Sequence, residues 1–317
     1  MQLRALTQKS ASAAILLLVV ILITTAIRSH LNPFDIEVAN SIFPERTISL
    51  ATAMVLFLFG GIIEGKIFPR SGLNKSYSTL PIPIYGLLAT GIFVAPHILS
   101  TAVVSLCFAL AIHLLLRSLH CADEKDSIFF ASFLFGSMVL IYPPCIVFVG
   151  ILTAAIFILA LSFRQVVIII VGYLLPLFGA SYYMWYIGEE ILTIGNNILE
   201  ALFIPQMGTF EQLPYMGIVM MCAIVALFIG GMVYSFIHPD KIFMLARVRR
   251  ALLFFVLILL VTLTMLLFPA CDLTFFALLA VPASILLSFV LGILPNTQST
   301  IAYWVLLIIF VSHLFLG

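Results

Sequence analysis

Asp35 and Glu37 are the side chains of this chain best placed for chemistry. They stand close behind the first apolar run, with Arg28 and His30 nearby in sequence. A carboxylate in such a place could act as a general base, or hold a divalent cation against a phosphate-bearing substrate. Arg28 and His30 would then contact the substrate. Two residues apart, Asp35 and Glu37 point to opposite sides of an extended chain and far apart around a helix, so one need not act with the other. A plainer alternative stands beside this one: Asp35 caps a short helix after Asn32-Pro33-Phe34, in a solvated loop.

The elements around these residues are set by composition. Of 317 residues, 64% are hydrophobic and only 9% are charged. A soluble domain, at roughly 45–50% apolar residues, could not hide so much apolar surface. Apolar stretches long enough to cross a bilayer give about eleven helices, near 11–27, 48–64, 79–96, 98–116, 127–143, 145–162, 165–187, 215–236, 250–268, 273–293 and 300–316. Tyr142-Pro143-Pro144-Cys145 and Phe268-Pro269-Ala270-Cys271 read as turns at a membrane surface, because proline cannot continue the helical ladder. The fold class expected is all-α, a polytopic transmembrane bundle in one integral membrane domain over 1–317. The run after Arg4 and Lys9 lacks a convincing small-residue cleavage site and reads as a retained first helix.

Charge orients the bundle. With the N-terminus in the cytoplasm, the inner gaps collect Lys66, Arg70, Lys75, Arg117, Lys125, Arg164, Lys241, Arg247, Arg249 and Arg250, while the outer gaps hold only Arg28 and Arg46. The outer gaps also receive Asp35, Glu37, Glu45, Glu189, Glu190, Glu200, Glu211 and Asp272. Positive loops stay inside, so the segregation predicts an inner-membrane protein whose C-terminus is outside. The first outer loop spans 28–47, and a second spans 188–214. In the second, Ile191, Ile194, Ile198, Leu199 and Leu202 share one helical face, predicting an amphipathic helix on the outer membrane–water boundary.

Several classes are disfavoured. The formal net charge of +1 gives no basic excess for nucleic acid. Cys107, Cys121, Cys145, Cys222 and Cys271 show no CxxC and no metal-ligand spacing, and no residue suggests a particular cofactor. Cys145 and Cys271 both follow prolines at outer ends, so a disulfide between them is conceivable in an oxidising envelope. The spans carry almost no ionisable groups, with Glu64 and Asp272 at helix ends and His113 in a last turn. Ion-coupled transporters keep such groups near mid-membrane, so this pattern argues against that class. Gly172, Pro176 and Gly179 read as close helix packing rather than a cavity lining.

From about 111 to 189 the chain resembles a polytopic inner-membrane protein family of the Bacteroidetes. Arg117, Phe130-Ala131-Ser132-Phe133-Leu134-Phe135-Gly136, Leu140-Ile141-Tyr142-Pro143-Pro144, Phe163-Arg164-Gln165-Val166-Val167, Gly172-Tyr173-Leu174-Leu175-Pro176 and Tyr182-Tyr183-Met184-Trp185-Tyr186 carry the resemblance. These motifs are silent about reaction. More loosely, the chain is similar to membrane glycosyltransferases that use polyprenyl-linked sugars, in helix number and in an acidic residue in the first outer loop. No stretch reads as the large extracytoplasmic domain often found in that superfamily. This second resemblance implies an outward-facing site with Asp35 or Glu37 as base or metal ligand, a lipid-linked substrate and membrane lipids as partners. A noncatalytic subunit scaffolding an envelope assembly is the competing expectation, and a transporter or lipid flippase the third.

Overall fold

The computed structural model describes residues 10–31, 46–71, 73, 78–89, 98–118, 125–158, 161–204, 215–237 and 246–316. Among the described residues, regular structure is helical throughout. The helices are α1 (Ala11–Leu31), α2 (Arg46–Ser71), α3 (Pro81–Ala89), α4 (Ile98–Ser118), α5 (Lys125–Ile141), α6 (Val149–Ile158), α7 (Phe163–Tyr186), α8 (Thr193–Phe203), α9 (Tyr215–Ile237), α10 (Ala246–Thr264), α11 (Thr274–Ile293) and α12 (Asn296–Leu316). Short 3₁₀ turns at Pro143–Phe148 and Met265–Leu267 precede α6 and follow α10.

Five helical stretches are long and apolar enough to cross a membrane: Ile48–Pro69, Ile98–Arg117, Phe163–Tyr186, Arg250–Leu267 and Thr274–Ile293. Ala11–Ala26, Pro143–Ile158 and Asn296–Ser312 are apolar but shorter. This architecture is compatible with an integral membrane protein, in which helices satisfy their own backbone groups and need no water along their length. Most helices overlap the apolar runs of the sequence; α8 lies outside all of them, and the run expected over 79–96 is described as helix only over Pro81–Ala89, its remainder lying outside the described residues.

Two differences at helix ends bear on function. Residues 28–31, assigned from sequence to the first outer loop, continue α1. The turn signal lies further on, at Asn32-Pro33, where proline disfavours a helical conformation in the residue before it. At the far end of α2, the sequence suggested an exit into water near Glu64. Instead the helix continues to Ser71, with Pro69 accommodated inside it. Along α2, Ser49, Ala53, Phe57, Gly60, Glu64, Ile67 and Ser71 are all buried, an unbroken inward stripe at helical spacing. Glu64 occupies a core position of that stripe, whereas Lys66 is exposed.

The centre of the bundle is α3, whose nine residues are all buried. It packs against α1, α2 and α11, and α2 also lies along α4. Small residues permit this closeness. A Cβ at Gly61 or Gly86 would collide with the Leu18 side chain, and one at Gly65 with that of Ile82, 2.7 Å away. On the other flank, α7 packs mainly on α5. There a Cβ at Gly136 would strike the Tyr173 carbonyl oxygen, and one at Gly172 would lie 2.8 Å from the Phe129 carbonyl oxygen. Gly172 is thus a packing residue, as its sequence suggested, while Gly179 has nothing near its Cβ position. A capping box begins α7: the Gln165 side chain accepts from the Ser162 N–H at 2.8 Å. The C-terminal part of α7 exposes Phe178, Tyr182, Tyr183, Trp185 and Tyr186. Aromatic rings of this kind gather at membrane–water interfaces.

Candidate functional site

The buried stripe of α2 brings a carboxyl group into the protein interior. Glu64 is completely inaccessible to solvent. Its Oε2 lies 3.2 Å from the hydroxyl of Ser284, half-way along α11 and 220 residues away in sequence. Its Oε1 has no hydrogen-bond partner. The Ser284 hydroxyl also donates to the Val281 carbonyl at 3.0 Å, and Ser288 donates to the Ser284 carbonyl at 2.7 Å. One turn before Glu64, a Cβ at Gly60 would lie 2.7 Å from the Tyr85 hydroxyl. Tyr85 lies within electrostatic reach of Glu64.

Tyr85 belongs to a second chain of hydroxyls. It is 2.8 Å from Ser105 Oγ on α4, and Ser105 donates to the Ala277 carbonyl on α11 at 3.1 Å. Ser105 has one hydroxyl proton, so with that proton on Ala277 the Tyr85 hydroxyl is the donor to Ser105. The interior between α2, α3, α4 and α11 therefore holds one carboxyl group and an ordered set of hydroxyls.

This corrects the expectation that Glu64 stands at a helix end: α2 runs on to Ser71 and the residue is buried inside the bundle. Glu64 lies within the Ile48–Pro69 span, at the level of the midpoint of α11. The periodicity of the α2 stripe was the available signal, since it gives Glu64 the same face as Phe57 and Gly60.

An adjacent face of α11 borders an apolar cavity of about 350 Å³. Leu88 of α3, Ile224 and Phe228 of α9, Leu259 of α10, and Phe276 and Ala283 of α11 contribute to its walls. Its volume falls in the range of roughly 300–1,000 Å³ usual for ligand pockets. Such pockets carry a few polar groups that fix orientation; here the described lining is hydrocarbon. α11 thus separates a polar interior from an apolar hollow.

A third feature lies where the two proline turns meet. The Tyr142 hydroxyl accepts from the Asp272 N–H at 3.1 Å. The Asp272 carboxylate accepts from the Thr274 N–H at 2.9 Å, tying down the start of α11. The Leu202 carbonyl at the end of α8 accepts from the Ala270 N–H at 3.4 Å. Helix α8 accordingly packs onto the 3₁₀ turn and α7. Leu202 is buried and Ile198 packs on the core, whereas Ile191 and Leu199, expected on the same face, are exposed. Cys145 and Cys271 are buried free thiols rather than a disulfide. Burial pushes the Cys271 thiol up to about 12, although its contact with Tyr142 pulls the other way.

Asp35 and Glu37 lie outside the described residues. Arg28 and His30 are on the backbone of α1, but their side chains also lie outside what is described. Among the described residues, no group of three or more His, Cys, Asp or Glu side chains could hold a metal ion. In comparisons with known proteins, no family model, no curated protein and no solved structure matches this chain.

Proposed function

We propose that this chain is a bacterial inner-membrane protein that acts on a lipid-linked substrate in envelope glycan or lipid-linked sugar metabolism, in the manner of a glycosyltransferase. The observation that carries this reading is the apolar cavity between α3, α9, α10 and α11. Its walls include residues of the Arg250–Leu267 and Thr274–Ile293 stretches, both long and apolar enough to cross a membrane, whose interior is rich in acyl and isoprenoid chains. A lined hollow there suits the tail of such a lipid. The polar end of the substrate falls to the first outer loop, with Asp35 or Glu37 as base or metal ligand and Arg28 and His30 in contact with it. The resemblance to polyprenyl-sugar-dependent enzymes supports that division of labour.

The test has two arms. Ala283→Phe fills the cavity; protein purified in native lipid should lose a co-purifying isoprenoid or acyl lipid that the parent retains. Asp35→Ala and Glu37→Ala, made separately, should reduce envelope glycan while leaving the lipid bound. Unchanged glycan in both carboxylate variants sinks the catalytic role and favours a scaffolding subunit. A Glu200→Cys variant should react with an impermeant thiol reagent from outside; access only from the cytoplasm would invert the orientation.

A transporter or flippase is the second reading, and Glu64 favours it. An ionisable residue inside a span is costly and usually marks a substrate or proton path.

A further inference from the structure

We infer that Glu64 and Ser284 form an intramembrane proton-binding site, in which the Glu64 carboxyl takes up and releases one exchangeable proton. The inference stands apart from the lipid-linked substrate and from the first outer loop.

The first argument is proton counting. Ser284 has a single hydroxyl proton and two acceptors within reach, the Val281 carbonyl at 3.0 Å and Glu64 Oε2 at 3.2 Å. When the proton goes to Val281, a hydrogen bond between Ser284 and Glu64 exists only if Glu64 supplies the hydrogen. A protonated carboxyl does so and matches both distances at once. A carboxylate would leave two oxygens competing for a proton already shared.

The second argument is solvation. A carboxylate buried in a low-dielectric interior needs a cation or several donors. Glu64 has one shared hydroxyl contact, and its Oε1 has no partner. The elements packed on α2 are α1, α3, α4 and α11. Of these, α1 between Ala11 and Ala26 and α11 throughout carry no titratable side chain. Helix α3 offers Tyr85, whose hydroxyl is directed to Ser105. Helix α4 carries Cys107, His113 and Arg117, the last exposed. On α2 itself Lys66 is exposed.

The third argument is ligand class. An alkali cation wants several oxygens around it at once. Here the carbonyl of Val281 accepts from Ser284, that of Ser284 accepts from Ser288, and that of Ala277 accepts from Ser105. Ile82 lies against Gly65, next along α2 from Glu64. A proton needs only the carboxyl and the hydroxyl beside it. Uptake is then simple in balance: a carboxylate and an aqueous proton become a carboxylic acid, and release reverses it. Pro282, inside α11 two residues before Ser284, removes one backbone donor and gives that helix a place to bend.

The test is infrared difference spectroscopy on the full chain in lipid nanodiscs, with carbodiimide labelling beside it. The parent should show a protonated-carboxyl stretch that shifts down in heavy water and disappears in Glu64→Gln. Ser284→Ala should move that band to higher frequency, because the carboxyl loses its hydrogen-bond partner. Dicyclohexylcarbodiimide should modify Glu64, the extent falling as pH rises. Glu64→Gln, a neutral isostere, should melt at or above the parent at pH 6. Several outcomes overturn the inference: no band difference between parent and Glu64→Gln, no shift in heavy water, or a Glu64→Gln variant melting well below the parent. Labelling suppressed by sodium at constant pH would instead assign a metal-cation site. None of these readouts uses a lipid substrate, so loss of the cavity or glycan results leaves them unaffected.

Discussion

The phenol of Tyr142 accepts a hydrogen bond from the backbone N–H of Asp272 at 3.1 Å, joining two proline turns 130 residues apart. Both residues are buried, Tyr142 at 8% and Asp272 at 4% exposure. Without the phenol oxygen, the amide at the start of α11 would have no water to turn to. Tyr142→Phe should therefore destabilise the protein by about 1–3 kcal/mol, the usual cost of an orphaned buried donor. Thermal unfolding in nanodiscs measures it, and a melting temperature equal to the parent's would show that the two turns are held by packing alone.

The contact of α5 with α7 makes a different prediction. Gly136 and Gly172 sit where a Cβ would meet opposing backbone, whereas Gly179 faces open space. Gly136→Ala and Gly172→Ala should each cost about 1–3 kcal/mol through overpacking, the former more, because its clash is with a carbonyl that cannot rotate away. Gly179→Ala, in the same helix as Gly172, should be neutral or slightly stabilising. Equal effects at Gly172 and Gly179 would mean that the two helices separate freely.

The thiol of Cys271 supplies a prediction in pH. Burial moves it from 9.0 to about 12. Its folded value is raised, so the associated stability is fully present below about pH 9 and is lost as pH climbs from there toward 12. In the folded protein at pH 8, the thiolate population is about 1,000-fold lower than that of an ordinary cysteine. Alkylation of Cys271 should be slower by at least that factor than after unfolding, as peptide mass mapping would report. Rapid labelling of the folded protein at pH 8 would show that this end of the bundle opens.

Much of the architecture is legible in the residues themselves. Hydropathy finds the helices because a bilayer or a protein core accepts only backbone that satisfies its own hydrogen bonds. The prolines at 143–144 and 269 punctuate correctly, because the ring removes a donor and blocks the helical ladder. The segment 188–214 reads as holding an amphipathic helix, and a helix does form over Thr193–Phe203 with Ile198 and Leu202 turned inward, while Ile191 and Leu199 of the expected face stay exposed. What hydropathy misjudges is α2, where Glu64 and Lys66 look alike as signs of an approaching surface.

Only tertiary structure separates those two residues. Lys66 lies on the outer side of the helix, and Glu64 on the stripe facing α11, so one is exposed and the other has no solvent contact. The meeting of Glu64 with Ser284, of Tyr85 with Ser105 and of Tyr142 with Asp272 depends on which helices become neighbours. Local sequence encodes helix and depth because those follow from a residue's own transfer free energy. It does not encode neighbours, because a pairing across 220 residues is chosen by how whole helix faces fit together.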